Sequence, residues 1–570
     1  NVSGVLSGNS VWTAAGGPHL VTASVMVPGG SILTIEAGAT IYFSQGAMIS
    51  VDGQLQAQGT DDRHIHMTRQ PGTTAAWGGI QFNDSQADNR LVYVDMDYAS
   101  TADPLVLDNA RIFIDHVVWT GTTRTIIDLL NSSAIIRNCV FPTIVDNEVI
   151  HGVGMPASGS VIIESNYFGG TTGYSDSINF TGGQRPGPIL QVLYNTFNGG
   201  SDDALDLTGS DAHIEGNLFM HIHQDATRAS GSYAIATDTG SELTVVRNVF
   251  YDNDHALLLM NGASAVFENN TVAFIRTNSP SAVPASVISF GEPQRAGVTG
   301  GAGAILEGNI FWDVDSNRHF LYFTNGVMYL EVNHSILSGT NHPGIGNLSS
   351  DPRFVNSIND WHLAPGSPAL GTGPNGLDMG AFVPGGATIT GEPLSPTPRT
   401  TATLTVAGPG ITHYQYRLNS GAFSAERSVP NPIVLSGLSN GVYAVSVIGK
   451  NSAGVWQPVA DATVSRTWVV NSAARGLWIS EVMARNDAAV EVGGRHPDLV
   501  ELYNDGSAAV SLAGMSLTDN RDEPRKFVFP PGASIADGDY LILMADSEVT
   551  PAGWHLGFTL RQEGDDLYLF

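Results

Sequence analysis

A short motif recurs seven times between residues 135 and 311, and it limits what this chain can become more than any other feature. The segments are Ile-Ile-Arg-Asn-Cys-Val-Phe (135–141), Ile-Ile-Glu-Ser-Asn-Tyr-Phe (162–168), Val-Leu-Tyr-Asn-Thr-Phe (192–197), Ile-Glu-Gly-Asn-Leu-Phe (214–219), Val-Arg-Asn-Val-Phe (246–250), Phe-Glu-Asn-Asn-Thr-Val (267–272) and Leu-Glu-Gly-Asn-Ile-Phe (306–311). Their shared core is an apolar residue, two variable positions, Asn, one variable position and Phe or Val. The asparagines are Asn166, Asn195, Asn217, Asn248, Asn270 and Asn309, with Cys139 in the first slot. Intervals run from 22 to 39 residues, and 22 occurs twice.

Repeats of this length are single coils of a solenoid, each too small to bury its apolar face alone. Stacked coils place equivalent residues about 4.8 Å apart, the spacing of paired strands. Apolar residues flanking the Asn fill the interior. The Asn is expected to take the left-handed conformation at the turn and to hydrogen-bond its equivalents along a ladder. Cys139, the one cysteine, is then a buried apolar position and not a nucleophile. Longer intervals are loops inserted at turns, where solenoids carry functional groups.

Composition agrees. The chain has 65 glycines in 570 residues and only 14% charged residues, which suits short strands and tight turns, and no long stretch shows helical periodicity. Net charge is −29, and the two lysines, Lys450 and Lys526, lie outside the repeat region. Such a surface repels phosphate backbones, which excludes nucleic acid as a partner, and it suits divalent cations or a neutral, cation-bridged substrate. No apolar run is long enough for a membrane-spanning helix. The first residue is Asn, consistent with a processed, mature terminus.

The stretch from Val27 to Thr68 alternates apolar and polar residues and breaks at glycine-rich turns. With Trp-Gly-Gly-Ile-Gln-Phe (77–82) it resembles the opening coils of bacterial right-handed parallel β-helix proteins of the pectate-lyase-like superfamily, and residues 351–382 resemble the closing segment of that group. The resemblance implies an all-β chain with a β-helix over 1–383, a Pro/Gly/Thr-rich linker over 384–400, and two small β-sandwiches. Residues 401–470 resemble an immunoglobulin or fibronectin type III sandwich. Residues 471–570 resemble the lamin-tail domain through Ile479-Ser480-Glu481-Val482, Asp498 to Asn504, Leu512 to Met515 and Leu517-Thr518-Asp519. The final strand, Gly-Asp-Asp-Leu-Tyr-Leu-Phe, reads as one that needs a turn and a further strand, so more polypeptide is expected beyond it. This domain order is similar to that of large extracellular bacterial proteins in which a CotH kinase-like domain follows. The resemblance implies a secreted or cell-surface location.

One constellation stands out for chemistry. With the coils aligned on the ladder, Tyr174–Phe180, Ser201–Leu207 and Gln224–Ala229 come into register. Ile178, Phe180, Leu205 and Leu207 then point inward, and Asp202 and Asp206 point outward. Asn179 in the coil before and Arg228 in the coil after share that outward column. A second column holds Asp176, Asp203 and Asp225, with His221 and His223 on the following strand edge. Carboxylates so close cannot all stay charged unless protons or a cation such as Ca²⁺ compensate. Asp202, Asp203, Asp206, Asp225 and Arg228 are therefore the expected catalytic set, Asn179 and His223 the substrate contacts, and Asp176, Asp203 and Asp225 the cation ligands. This chemistry suits a polysaccharide or cell-surface glycan, either bound along the groove or cleaved by a hydrolase or a lyase. The Asp-Asp pair resembles polygalacturonase-type hydrolases, but their Gly-His-Gly and Arg-Ile-Lys motifs are missing, so no roles carry over. The competing expectations are stacked aspartates that merely cap turns, and a non-catalytic surface or matrix scaffold that self-associates. Trp77, Trp119 and Trp361 are expected in packing rather than on sugar.

Overall fold

The computed structural model describes the whole chain except residues 226–230, 277–284, 293–296, 313–318, 324–328, 339–341, 473–475, 507, 548–553, 562–563 and 565. It divides into two compact units, Asn1–Gly385 with Ser452–Val455, and Gly386–Asn451 with Trp456–Phe570. Among the described residues, the only helical segments are two single 3₁₀ turns, Pro374–Gly376 and Val459–Asp461.

The first unit is a right-handed parallel β-helix. From Ile127 on, each coil contributes one strand to each of three parallel sheets, whereas single strands of earlier coils, such as Asn89–Asp97 and Arg111–Thr120, run through two of them. Sheet I contains Leu105–Asp108, Ile127–Leu130, Ile150–Val153, Ile178–Thr181, Leu205–Thr208 and Tyr233–Asp238, each paired with the next. Sheet II includes Ser133–Arg137, Val161–Glu164, Leu190–Leu193, Ala212–Glu215 and Glu242–Val246. Sheet III includes Val140–Phe141, Tyr167–Phe168, Thr196–Gly200, Leu218–Ile222 and Val249–Tyr251. Alternation sends every second residue inward, so Ile178, Phe180, Leu205 and Leu207 are fully buried, as expected.

The corner between sheets II and III explains the repeat. Each ladder asparagine accepts, on Oδ1, the backbone N–H of its equivalent in the preceding coil: Asn166 from Cys139 at 2.9 Å, Asn195 from Asn166 at 2.9 Å, Asn217 from Asn195 at 2.8 Å and Asn248 from Asn217 at 2.8 Å. Each also donates Nδ2 to the carbonyl three residues before that equivalent, as Asn217 does to Val192 at 2.8 Å. The left-handed residue is not the Asn but its predecessor: Asn138, Ser165, Tyr194, Gly216, Arg247, Asn269 and Gly308 all have positive φ. The corner needs the left-handed bend one residue earlier so that the Asn side chain can turn into the interior. Cys139 fits the first slot because it only has to offer its N–H, and burial pushes its thiol up to about 12.

Two residues beyond the ladder runs an aromatic column. Trp119, Phe141, Phe168, Phe197, Phe219 and Phe250 stack face to face with centroids 4.6–5.0 Å apart, so coil spacing and ring thickness set one another. Trp77 and Trp119 are fully buried, and Trp361 packs on Tyr251 at 5.0 Å. The segment containing Trp361 forms an antiparallel pair, Phe354–Asn356 with Asp360–Leu363, and its continuation donates from Ala381 N–H to Thr271 Oγ1 at 3.0 Å.

The second unit is made of small antiparallel sheets. Ile411–Leu418 pairs with Val445–Asn451, and Ala402–Ala407 with Thr388–Thr390 and Ile433–Leu435, around a core containing Tyr414, Val447 and Trp468. Farther along, Asp498–Asn504 lies between Leu477–Met483 and Tyr540–Ala545, and Leu517 pairs with both Phe527 and Leu569. Arg399 Nε lies 2.7 Å from Asp505 Oδ1, joining the two sets of sheets within this unit.

Candidate functional site on sheet I

The chain enters each sheet I strand through a loop from sheet III, and polar groups recur at two fixed positions there. Two residues before the first inward side chain stand Asp103, Glu148, Asp176 and Asp203; the coil that includes Ile127 has Thr125 at this position. One residue after it, facing outward, stand Asp128, His151, Asn179 and Asp206, in direct register from strand to strand. Four successive coils therefore stack two lines of polar groups on one face.

These groups are linked. His151 Nδ1 donates to Asp128 Oδ1 at 2.7 Å, and this bond holds the imidazole above its ordinary value. The Asn179 amide donates to Glu148 Oε1 at 3.1 Å and to Asp176 Oδ2 at 3.3 Å, bridging carboxyls of neighbouring coils. Asp176 Oδ1 accepts the Asp203 N–H at 3.0 Å, and Asp203 Oδ1 accepts the Tyr233 N–H at 2.7 Å. Oxygens of Asp176, Asp202 and Asp203 lie within 4.8 Å of one another.

Crowding has an electrostatic consequence. Burial, followed by the charges of Asp206 and Asp202, holds Asp176 well above the usual carboxylate range. Burial, then Asp202 and Asp176, does the same to Asp203. Burial also raises Glu148, opposed by His151 and reinforced by Asp206. Asp103 is raised by burial and by Asp128. The Tyr174 hydroxyl is raised first by Asp202. The face thus holds several carboxyls that keep protons to higher pH than free side chains do, or that exchange them for a cation.

The sequence-derived alignment is corrected in one coil. Asp206 pairs with Ala236, and the position equivalent to Asp176 and Asp203 is Tyr233, not Asp225. Counting on from Asn217 misplaces Asp225 because the next sheet I strand begins only at Tyr233. Asp225 instead donates its N–H to Ser201 O at 3.4 Å, and Asp202, not Asp225, completes the convergent carboxyl group. Arg228 lies outside the described residues. Asn179, expected as a substrate contact, donates to two carboxyls of neighbouring coils. His223 belongs to another corner: its Nδ1 is 2.9 Å from Asp254 Oδ1. Asp103, Asp128, Glu148 and His151 escape a reading based on local motifs, because no Asp-Asp pair marks their coils. Their shared signal is position, two before or one after the first inward residue of each sheet I strand.

A family model described as "Right handed beta helix region" matches residues 105–272, and one described as "Lamin Tail Domain" matches residues 471–570. No curated protein matches the chain. Among solved structures, the crystal structure of pectate lyase Pel9A aligns at 15% identity over 62% of this chain and 88% of that one, with a TM-score of 0.27. A likeness this loose places no residue of the site.

Proposed function

We propose that the β-helix binds and hydrolyses a polysaccharide along sheet I, in an extracellular or cell-surface setting, with the stacked carboxyls as acid and base. The observation that carries this reading is the Asn179 bridge, which holds Glu148 and Asp176 on one amide while Asp206 faces them both. Hydrolysis of a glycosidic bond needs one protonated carboxyl to give its proton to the leaving oxygen and one carboxylate to activate water or attack. A raised carboxyl beside an ionised one supplies that pair. Glu148 and Asp176 are the proton carriers in this scheme, and Asp206 and Asp202 are the ionised partners. A solenoid face that repeats polar groups coil by coil suits a long, repetitive polymer better than a compact ligand.

A second reading rests on the carboxyl oxygens of Asp176, Asp202 and Asp203. Oxygens within 4.8 Å of one another match ligands about 2.4 Å from one Ca²⁺. A cation there would bridge an acidic polysaccharide to this acidic face. Both readings are tested by incubating the protein with neutral and acidic polysaccharides, with and without Ca²⁺, and following reducing ends, unsaturated products and retention on each glycan. New reducing ends that vanish in Glu148→Gln support hydrolysis. Ca²⁺-dependent retention without product supports cation-bridged binding. Silence across the panel, with Asp203→Ala unchanged in stability, leaves a non-catalytic surface scaffold.

A further inference from the structure

A second group of convergent side chains stands at the sheet III corner, apart from the carboxyl face. Sheet III pairs Met220 with Tyr251, and the same register sets His221 beside Asp252 and His223 beside Asp254. His221 has a left-handed backbone, φ 59°, and its Nδ1 lies 2.9 Å from Asp252 Oδ2. Asp254 is 1% exposed and both its oxygens are committed: Oδ1 to His223 Nδ1 at 2.9 Å and Oδ2 to the Gln224 N–H at 2.8 Å.

That commitment takes up His223 Nδ1 and leaves Nε2 as the ring atom open to a further partner. This atom is buried and makes no hydrogen bond. It faces Asp252 Oδ2 at 3.8 Å, too far for a hydrogen bond. The space between Nε2 and Asp252 Oδ2, with His221 Nδ1 2.9 Å from the same oxygen, is one that a bound cation would bridge. Arg276 does not fill that gap, since its Nε pairs with the other oxygen, Asp252 Oδ1, at 2.8 Å.

We propose that His221, His223 and Asp252 bind a transition-metal ion, with Zn²⁺ the best match. Two imidazoles and one carboxylate are a donor set for zinc, and its bonds to N and O are about 2.0–2.2 Å. Ligand atoms bonded at that length to a tetrahedral ion lie roughly 3.4 Å apart, so the 3.8 Å gap would close slightly and the 2.9 Å His221 Nδ1–Asp252 Oδ2 contact would open by a similar amount. The three donor atoms lie within 4.8 Å of one another. Asp254 behind His223 provides the carboxylate–histidine–metal arrangement that orients a ligand and raises its basicity. Arg276 holds Asp252 so that Oδ2 faces the imidazoles. Three protein ligands leave a fourth position open. His221, whose side chain is 46% exposed, provides the solvent side. Hard Ca²⁺ prefers all-oxygen ligands and is a poor match for this donor set.

The test is titration of the full chain, stripped with a chelator, with Zn²⁺ by calorimetry and with Co²⁺ by visible absorption. The expected result is a saturable site at one ion per chain that Ca²⁺ does not displace and that gives tetrahedral Co²⁺ bands. His223→Ala is expected to abolish it, and Asp254→Asn to weaken it roughly 10–100-fold. Asp176→Asn, on the carboxyl face, leaves it unchanged. If His223→Ala fails to fold, His221→Ala takes its place because that ring is the most exposed of the three. Absence of the site in the parent chain, or equal affinity in the His223→Ala or His221→Ala chain, overturns the proposal.

Discussion

Replacing Asn217 by Ala removes one rung of the ladder, and its cost follows from the partners left behind. Asn217 is 1% exposed. Its Oδ1 accepts from Asn195 N at 2.8 Å and Asn195 Nδ2 at 3.0 Å, and its Nδ2 donates to Val192 O at 2.8 Å, Glu215 O at 3.2 Å and Asn248 Oδ1 at 2.9 Å. Asn195 Nδ2 keeps its bond to Ile163 O, and Asn248 Oδ1 keeps the Asn217 N–H. The Asn195 N–H and one bond to Val192 O are lost. Each buried group left unpaired costs about 1–3 kcal/mol, and the vacated volume adds to this, so the expected loss is about 3–5 kcal/mol. Cys139→Ala, at the end of the same ladder, leaves the Cys139 N–H bonded to Asn166 and is expected to cost under about 1.5 kcal/mol. Solenoid stability is nearly a sum over neighbouring coils, so the damage is local. The assay is chemical denaturation of both variants, with amide exchange followed at residues 192–197 and 214–219. A loss below about 1 kcal/mol for Asn217→Ala, with the Asn195 amide still protected, would refute the reasoning.

Three further outcomes follow from the structure. A Cβ on Gly152 would lie 2.3 Å from the Phe180 ring. Gly152→Ala is therefore expected to destabilise by about 1–3 kcal/mol, and Phe180→Leu in the same chain to recover part of it, measured by thermal melting. For Asp176 and Asp203 the folded pKa lies above the unfolded one, so the folded state binds more protons and stability falls as pH rises from the ordinary carboxylate value through the raised one. Denaturation of the parent chain at about pH 4 and about pH 7, without divalent cations, checks this. His255 has the opposite sign. Burial lowers it to about 4, so its contribution is full above the unfolded value and is lost as pH falls from there through about 4, a change on the order of 3 kcal/mol, followed by NMR titration of its ring.

The ladder made the fold legible because a buried amide at one corner has few substitutes. The aromatic column was legible as the Phe two residues on, and the lamin-tail segment through its own local motifs. The site was legible only in part. Asp202, Asp203 and Asp206 are close in sequence, and the ladder repeat aligned Asp176 with them from the coil before. Glu148 and His151 reach them only through the coil stack, at intervals set by loop length. Loop length also misled the placement of Asp225: the next sheet I strand starts only at Tyr233, and the ladder cannot report that until Asn248. The left-handed residue before each Asn was missed because Asn, Ser, Tyr, Gly and Arg all occupy that position. The backbone geometry of the corner recurs there without recurring in side-chain chemistry.

The central claim is that sheet I holds carboxyls that keep their protons to unusually high pH. Its most direct test is a ¹³C NMR titration of the Asp and Glu side-chain carboxyls in the metal-free protein, with Glu148→Gln and Asp176→Asn used to assign the two resonances. The account predicts that both titrate above the ordinary carboxylate range, and that each moves down when the Asp206 charge is removed by Asp206→Asn. Ordinary titration of Glu148 and Asp176, unchanged by Asp206→Asn, would contradict it.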